Sequence, residues 1–223
     1  MKKILFILVS LLLALNCYSQ ATFKCDNIVN QLTEWNQICK EFKKKGSKKW
    51  AKAASEKFPL NSDGYIEYVN IITIDSVINI DDYEDHICEW IMTEFSNAQP
   101  IMDKVNHNIK VQGKLRHVGQ TTGLFSASTV STDICISIDI KENRIRIKTY
   151  APHYYLGAAS LGGLNSGTIL INSTYPFNEK SSYKDTYAQA FINTNANIID
   201  KNNSFLSFLN RHITDINDDQ DDW

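Results

Sequence analysis

Five histidines have the widest chemical use in this chain, since imidazole serves in acid–base catalysis and binds metals. They are His86, His107, His117, His153 and His212. A zinc site carried by one helix needs two histidines four residues apart, and no two of these have that spacing. His86 is close to Cys88 and Glu89 in sequence, but on a helix these three side chains point in different directions. The sequence therefore predicts no metal centre and no cofactor, and it places the histidines on the surface or in loops.

Four carboxylates form an acidic cluster at the start of a predicted helix: Asp81, Asp82, Glu84 and Asp85. Carboxylates stabilise the first turn of a helix because they lie near the positive end of its dipole. We therefore interpret this cluster as structural. Neither a Ser-His-Asp nor a Cys-His signature is present, so the sequence predicts no catalytic residue.

Two predicted strands carry cations on one side. These cations are Lys110, Lys114 and Arg116 on the first strand, and Arg144, Arg146 and Lys148 on the second. Residues two apart share a face of a strand, so we expect the six side chains to form one basic surface that binds an anionic ligand. Alternatively, these cations are solvated, balance Asp139 and Glu142, and discourage edge pairing.

The first 19 residues have the features of a secretory signal peptide. Lys2 and Lys3 precede an apolar run over residues 4–15, and Cys17 to Ser19 supply a cleavage region. The run is shorter than the roughly 20 apolar residues that span a bilayer. We therefore expect a periplasmic or extracellular protein without a transmembrane anchor. Lipid anchoring at Cys17 is the less favoured alternative, because Asn16 stands where such sites have Gly, Ala or Ser.

The net charge gives little support for nucleic-acid binding. The 223 residues carry a formal charge of −2, which becomes −4 once Lys2 and Lys3 are removed with the signal peptide. A mildly acidic exported protein has no bulk attraction to nucleic acid. The partners that we expect are an anionic glycan, a lipid head group or an envelope protein.

Four cysteines remain after Cys17, namely Cys25, Cys39, Cys88 and Cys135. Cys25 and Cys39 cannot pair, because on one helix they are about 21 Å apart and a disulfide needs Cα atoms within about 7 Å. If the first helix packs beside the second, Cys39–Cys88 or Cys25–Cys88 is the expected bridge. Equally, all four can remain reduced, since cysteine is a common buried residue.

Apolar periodicity predicts the main elements. The predicted helices cover residues 25–42, residues 79 or 81 to 95, and a long segment from 182. The predicted strands cover residues 65–75, 101–106, 109–118, 133–141 and 144–150. Isoleucines at every second position of 134–140 and at 145 and 147 give the last two strands one buried and one solvated face.

These elements divide the chain into four segments. A signal peptide (1–19) precedes an N-terminal helical segment (20–57), an α+β domain (58–214) and an acidic tail (215–223). Within the domain, residues 151–180 are rich in glycine and are predicted to form a long loop with one short strand at 168–172. The order of strand, helix, four strands and helix predicts an antiparallel sheet with helices on one face, preceded by an extra helix.

Several features of residues 58–150 resemble a known family. They are Phe58-Pro59 before the first strand, Tyr83 and Trp90 in the helix, Gly113-Lys114, and Arg144 and Arg146 in the closing hairpin. This segment is similar to the family of domains of unknown function numbered 4468, which has a TATA-binding-protein-like fold. The resemblance implies that fold and implies no activity.

The sequence thus predicts an exported, non-enzymatic binding or interaction domain of the cell envelope. One alternative is an extracytoplasmic hydrolase with its site near the glycine-rich segment, at His153, Tyr154 and Tyr155. Another is a structural envelope protein that assembles through its long helices.

Overall fold

A computed structural model describes residues 22–75, 79–95, 98–122, 126–160, 163–175 and 184–216. The predicted signal peptide lies outside these residues, as does the acidic tail apart from its first two residues. Among the described residues, no helix combines the length and the apolar character needed to cross a bilayer.

The described chain contains eight strands and five α-helices. In order these are β1 (Phe23–Lys24), α1 (Asp26–Phe42), α2 (Ser47–Lys57), β2 (Ile66–Ile74), α3 (Ile80–Glu94), β3 (Ile101–Asp103), β4 (Asn108–Thr122), β5 (Ser126–Lys141), β6 (Arg144–Ala151), β7 (His153–Ser160), β8 (Gly163–Leu170), α4 (Ile171–Thr174) and α5 (Lys184–Ile216). The predicted α+β class with an antiparallel sheet is confirmed.

All eight strands belong to one antiparallel sheet. The strand order is β1-β2-β6-β5-β4-β3, with β7 and β8 outside this path. One edge of β5 pairs with β4 along most of its length. The other edge is shared, because residues 126–132 of β5 pair with β7 and residues 135–141 pair with β6.

β6 and β7 follow each other along this shared edge, with Pro152 between them. Cys135 is opposite Tyr150 on β6, but Thr132 is opposite Tyr154 on β7, so the register moves by one residue at the proline. A one-residue offset reverses which side chains face outward. Even-numbered residues of β6 therefore face outward, whereas on β7 it is the odd-numbered ones.

The core lies between one face of the sheet and the helices. The alternating isoleucines of β5 and β6 are buried, as predicted. Against them packs α5, a single helix of 33 residues whose buried side chains include Phe191, Ile198 and Phe205. The asparagines in the middle of α5 do not interrupt it, because Asn202 is buried and accepts a hydrogen bond of 2.8 Å from Thr149.

The N-terminal segment contains two α-helices where the sequence predicted one. After α1 the chain forms a short 3-10 turn over Lys43–Lys45, and Gly46 adopts a φ of 86° before α2 begins. A positive φ is available to glycine at little cost, so the chain can turn here and pack α2 against α1 and α5.

The prediction of a long glycine-rich loop over residues 151–180 is wrong for most of the described part of that range, although the short strand predicted at 168–172 overlaps β8; residues 161–162 and 176–180 lie outside the described residues. Most of this segment forms β7 and β8, and residues 171–174 form α4. Likewise β5 begins at Ser126, earlier than the predicted residue 133. Small and hydroxylated residues in these strands hide the usual alternation, and backbone pairing with a neighbouring strand determines the structure instead.

No disulfide forms among the four described cysteines, which are free thiols. Neither the Cys39–Cys88 nor the Cys25–Cys88 bridge is present, and the reduced alternative holds for these cysteines. The reason is that α1 packs mainly on α2, α5 and β2, whereas α3 packs on α5, β4 and β5. Burial raises the pKa of the thiols of Cys39, Cys88 and Cys135, which lowers their reactivity.

Candidate functional site

The face of the sheet opposite the helices carries most of the predicted basic residues. Strand register places Lys110, Ser137 and Lys148 in one row across β4, β5 and β6. The next rows pair Arg146 with Asp139 and Arg144 with Lys141. Directly opposed residues project from the same face, so these cations share the outer surface.

Lys114 and Arg116 differ in their surroundings. Lys114 is on the same face, opposite Asp133, and its Nζ is 4.7 Å from the centre of the Tyr155 ring. Arg116 is exposed but falls in an irregular stretch, because the β4–β5 register shifts between Leu115 and Gly119. The regular rows of the basic face therefore do not extend to Arg116.

Two cations of the face are paired with carboxylates. Arg146 donates from Nε to Asp139 Oδ2 at 2.8 Å, and its Nη2 is 2.7 Å from the same oxygen. Lys148 Nζ is 2.6 Å from Glu67 Oε2. Asp139 therefore balances the charge of Arg146, as in the alternative interpretation of the basic residues given under the sequence analysis. Exposed pairs of this kind contribute about 0–1 kcal/mol to stability.

A pocket opens at the end of this face, where β5 and β6 meet in a hairpin. Its volume is about 470 Å³. The lining residues are Ile71, Asn106, Asp139, Ile140, Lys141, Arg144 and Arg146. Lys141 and Arg144 are directly opposed across the two strands. Neither side chain has an ion pair or hydrogen bond within the described part of the chain. The one carboxylate in the pocket lining, Asp139, is engaged with Arg146, so these two like charges face each other without a direct partner.

A second polar cluster forms where β7 runs beside β5. Asp133 Oδ2 accepts hydrogen bonds from Gln112 Nε2 at 2.8 Å and from the Tyr155 hydroxyl at 2.6 Å. His153 Nε2 is 2.6 Å from that hydroxyl and 4.0 Å from Asp133 Oδ2. Because the hydroxyl donates to Asp133, the imidazole N–H donates to the hydroxyl.

The hydrogen bond to Asp133 raises the pKa of the Tyr155 hydroxyl, since it stabilises the neutral form. Tyr155 is therefore a poor nucleophile. Tyr154, the third predicted hydrolase residue, is fully buried on the opposite face, where its ring stacks on that of Tyr187 at 6.3 Å. The structure thus brings together His153 and Tyr155, adds Asp133, and excludes Tyr154.

A third cluster contains residue types that bind metals. Ligand atoms of Asp81, Glu84 and His107 all lie within 4.8 Å of one another, and His107 Nδ1 is 2.9 Å from Glu84 Oε1. Sequence reasoning missed this group because it explained the two carboxylates by the favourable helix dipole in the first turn of α3. One signal was available, since Glu84 is three residues before Ile87 and shares the buried side of α3.

Comparisons with known proteins give two structural neighbours. No protein-family model and no curated protein matches this sequence. One neighbour is a TBP-like protein from Parabacteroides distasonis ATCC 8503, with 13% identity and a TM-score of 0.43; the alignment covers 65% of this chain and 96% of that one. The other is a DUF4468 family protein from Bacteroides ovatus ATCC 8483, with 7% identity and a TM-score of 0.43. That alignment covers 68% of this chain and 94% of the other chain.

The second neighbour carries the name of the family that residues 58–150 resemble. The α+β fold is shown by the strand pairing and the helices of this chain.

Proposed function

We propose that this chain is exported and acts outside the cytoplasm as a non-catalytic binding protein of the cell envelope. Its recognition site is the pocket at the β5–β6 hairpin, and its ligand carries a carboxylate or phosphate group. The order of basic residues, apolar run and small residues at the N-terminus supports export.

The observation that carries the binding proposal is the unbalanced pair of Lys141 and Arg144 within the pocket. Like charges placed directly opposite each other on two strands destabilise a sheet. An anion between them removes that repulsion. Arg144 supplies a planar guanidinium that can bind two oxygens of a carboxylate or phosphate at once, and Lys141 adds a compact charge.

The remaining lining suits a small ligand. Asn106 offers an amide oxygen and one remaining N–H, since its Nδ2 already donates to Asp103 Oδ2. Ile71 offers an apolar wall. The volume of about 470 Å³ lies within the range of roughly 300–1,000 Å³ typical of small-molecule sites. This combination of cations, an amide and an apolar wall favours a sugar acid or a phosphorylated head group over a bare inorganic ion.

Three other cations of the basic face lie in or near the pocket. Lys110 occupies the neighbouring row of the outer face and adds positive potential that attracts an anion towards the pocket. Lys148 lies in the same row but is paired with Glu67, so it adds less. Arg146 lines the pocket but is engaged with Asp139, so it contributes less than Arg144.

The test compares binding by the mature protein and by a Lys141→Ser/Arg144→Ser variant. The probes are a glucuronate-containing oligosaccharide and vesicles of phosphatidylglycerol, which separate a sugar carboxylate from a lipid phosphate. We expect the variant to lose more than about tenfold in affinity, and salt to weaken binding by the unchanged protein.

The matched control is Lys40→Ser/Lys44→Ser, which removes the same charge from exposed positions of the N-terminal segment. If the control loses as much affinity as the pocket variant, the attraction is general and the pocket is not the site. If neither probe binds the folded, unchanged protein, the anion proposal is refuted.

A hydrolase remains the second candidate, favoured by the hydrogen bonds that join His153, Tyr155 and Asp133. Chromogenic ester and glycoside substrates distinguish the two functions. Turnover that is abolished by His153→Asn and retained in Lys141→Ser/Arg144→Ser would favour the hydrolase.

A further inference from the structure

We propose that Asp81, Glu84 and His107 form a binding site for a divalent transition-metal ion, with Zn²⁺ as the best match. The site is separate from the anion pocket and does not depend on the proposed function. Two ligands come from the first turns of α3, and the third comes from the turn between β3 and β4.

Glu84 is the buried residue of the group. Its side chain is only 1% exposed, and burying a carboxylate is costly unless it is paired or coordinates a metal. Oε1 has one partner, His107 Nδ1. Oε2 accepts no hydrogen bond from the described residues, although a carboxylate has about four acceptor positions. A largely buried carboxylate with spare acceptor positions therefore lies at the centre of the group.

The ligand atoms of the three residues are close enough to share one ion. All three lie within 4.8 Å of one another, so one ion placed among them can contact each at close to the usual Zn–N and Zn–O lengths of roughly 2.0–2.2 Å after small side-chain rotations. A separation of 2.9 Å between His107 Nδ1 and Glu84 Oε1 is also ordinary for two ligands of the same ion.

The type of ligand selects the metal. Mg²⁺ and Ca²⁺ prefer oxygen ligands alone, whereas an imidazole with carboxylates suits Zn²⁺ and neighbouring transition metals. Three protein ligands leave at least one coordination position open to water or to a partner molecule. The thiol of Cys88, one turn after Glu84, is outside the group of three.

The fold holds the two sides of the site in place. Asp81 and Glu84 are three residues apart on α3 and so share one side of the helix. The carbonyl of His107 accepts a hydrogen bond of 2.9 Å from the amide of Ile140 on β5, which ties the turn to the sheet. The backbone of His107 has a φ of 49°.

The experiment is calorimetric titration of the mature, chelator-treated protein with ZnCl₂ and, separately, with MgCl₂. We expect one Zn²⁺ per chain and much weaker Mg²⁺ binding. Asp81→Asn and His107→Asn should each weaken Zn²⁺ binding by more than about tenfold. Asparagine tolerates the positive φ at position 107, and Asp81 is exposed, so both variants should fold.

The matched control is His117→Asn. His117 also has a positive φ, 56°, and is exposed outside the group, so this variant should bind Zn²⁺ like the unchanged protein. A second readout is the rise in melting temperature with Zn²⁺, which should occur in the control and vanish in the two site variants. Absence of one-to-one Zn²⁺ binding, or unchanged affinity in either site variant, would overturn the proposal.

Discussion

Asp139 gives the most demanding test of the anion pocket, because its removal should tighten binding. The carboxylate lines the pocket and holds Arg146 through two contacts to one oxygen. In an Asp139→Asn variant the pocket loses a negative charge, and Arg146 becomes free to contact the ligand. Asn108, which donates to the other oxygen of Asp139 at 2.8 Å, keeps an amide oxygen as its acceptor.

The size of the effect follows from the exposure of the groups. Two unit charges 4 Å apart interact by about 1 kcal/mol in water and by about 4 kcal/mol at an effective dielectric constant near 20. Side chains in the pair are 58% and 27% exposed, so the lower value applies. A gain of about 1 kcal/mol corresponds to roughly fivefold tighter binding. The loss of an exposed ion pair should change stability by only about 0–1 kcal/mol.

The assay is titration of the glucuronate-containing oligosaccharide into the unchanged protein, Asp139→Asn and Glu67→Gln. The last variant also removes a carboxylate from the outer face, but one that pairs with Lys148 outside the pocket. It should therefore change affinity less than about twofold. Equal or weaker binding by a folded Asp139→Asn protein would show that Asp139 does not compete with the ligand, and the pocket would no longer be the favoured site.

Two further predictions concern stability. A Cβ atom added at Gly119 would lie 2.2 Å from the carbonyl oxygen of Thr186 on α5. Gly119→Ala should therefore lower the free energy of unfolding in urea by about 1–3 kcal/mol. The control is Gly167→Ala, where an added Cβ has nothing within 4 Å, and an equal loss of stability in both variants would contradict this packing. For Glu94, burial raises the pKa, but hydrogen bonds from Lys201 and a serine hydroxyl outweigh it and hold the pKa below 4.5. The contribution of Glu94 to stability is therefore complete above pH 4.5 and is lost as the pH falls below that value. The free energy of unfolding of a Glu94→Gln variant should consequently fall less steeply with decreasing pH than that of the unchanged protein. An identical pH dependence in the two proteins would refute this role of Glu94.

The parts of the fold that the sequence predicted are those with strong local periodicity. Isoleucines at alternate positions of β5 and β6 identified both strands and the buried face. The β7–β8 hairpin has no such pattern, since its strands are rich in glycine, alanine and serine. Its structure depends on pairing with β5, which is a tertiary contact that local composition does not encode.

The candidate sites divide in the same way. The sequence predicted the basic face because strand alternation alone places Arg144 and Arg146 together. It identified His153 and Tyr155 but not Asp133, and it missed the pairing of His107 with Glu84, which are 23 residues apart. This pairing is a tertiary contact between α3 and the β3–β4 turn. Local patterns in a single sequence do not predict such contacts.

The register offset at Pro152 has a consequence for how this surface can change in evolution. Beyond the proline, odd-numbered residues face outward, which is why His153 and Tyr155 lie beside Asp133 while Tyr154 is buried. Deleting one residue at this point would reverse the alternation along β7 and exchange the two sets of side chains. An insertion or deletion of a single codon could thus replace the chemistry at one end of the outer face while β6 and the anion pocket kept theirs.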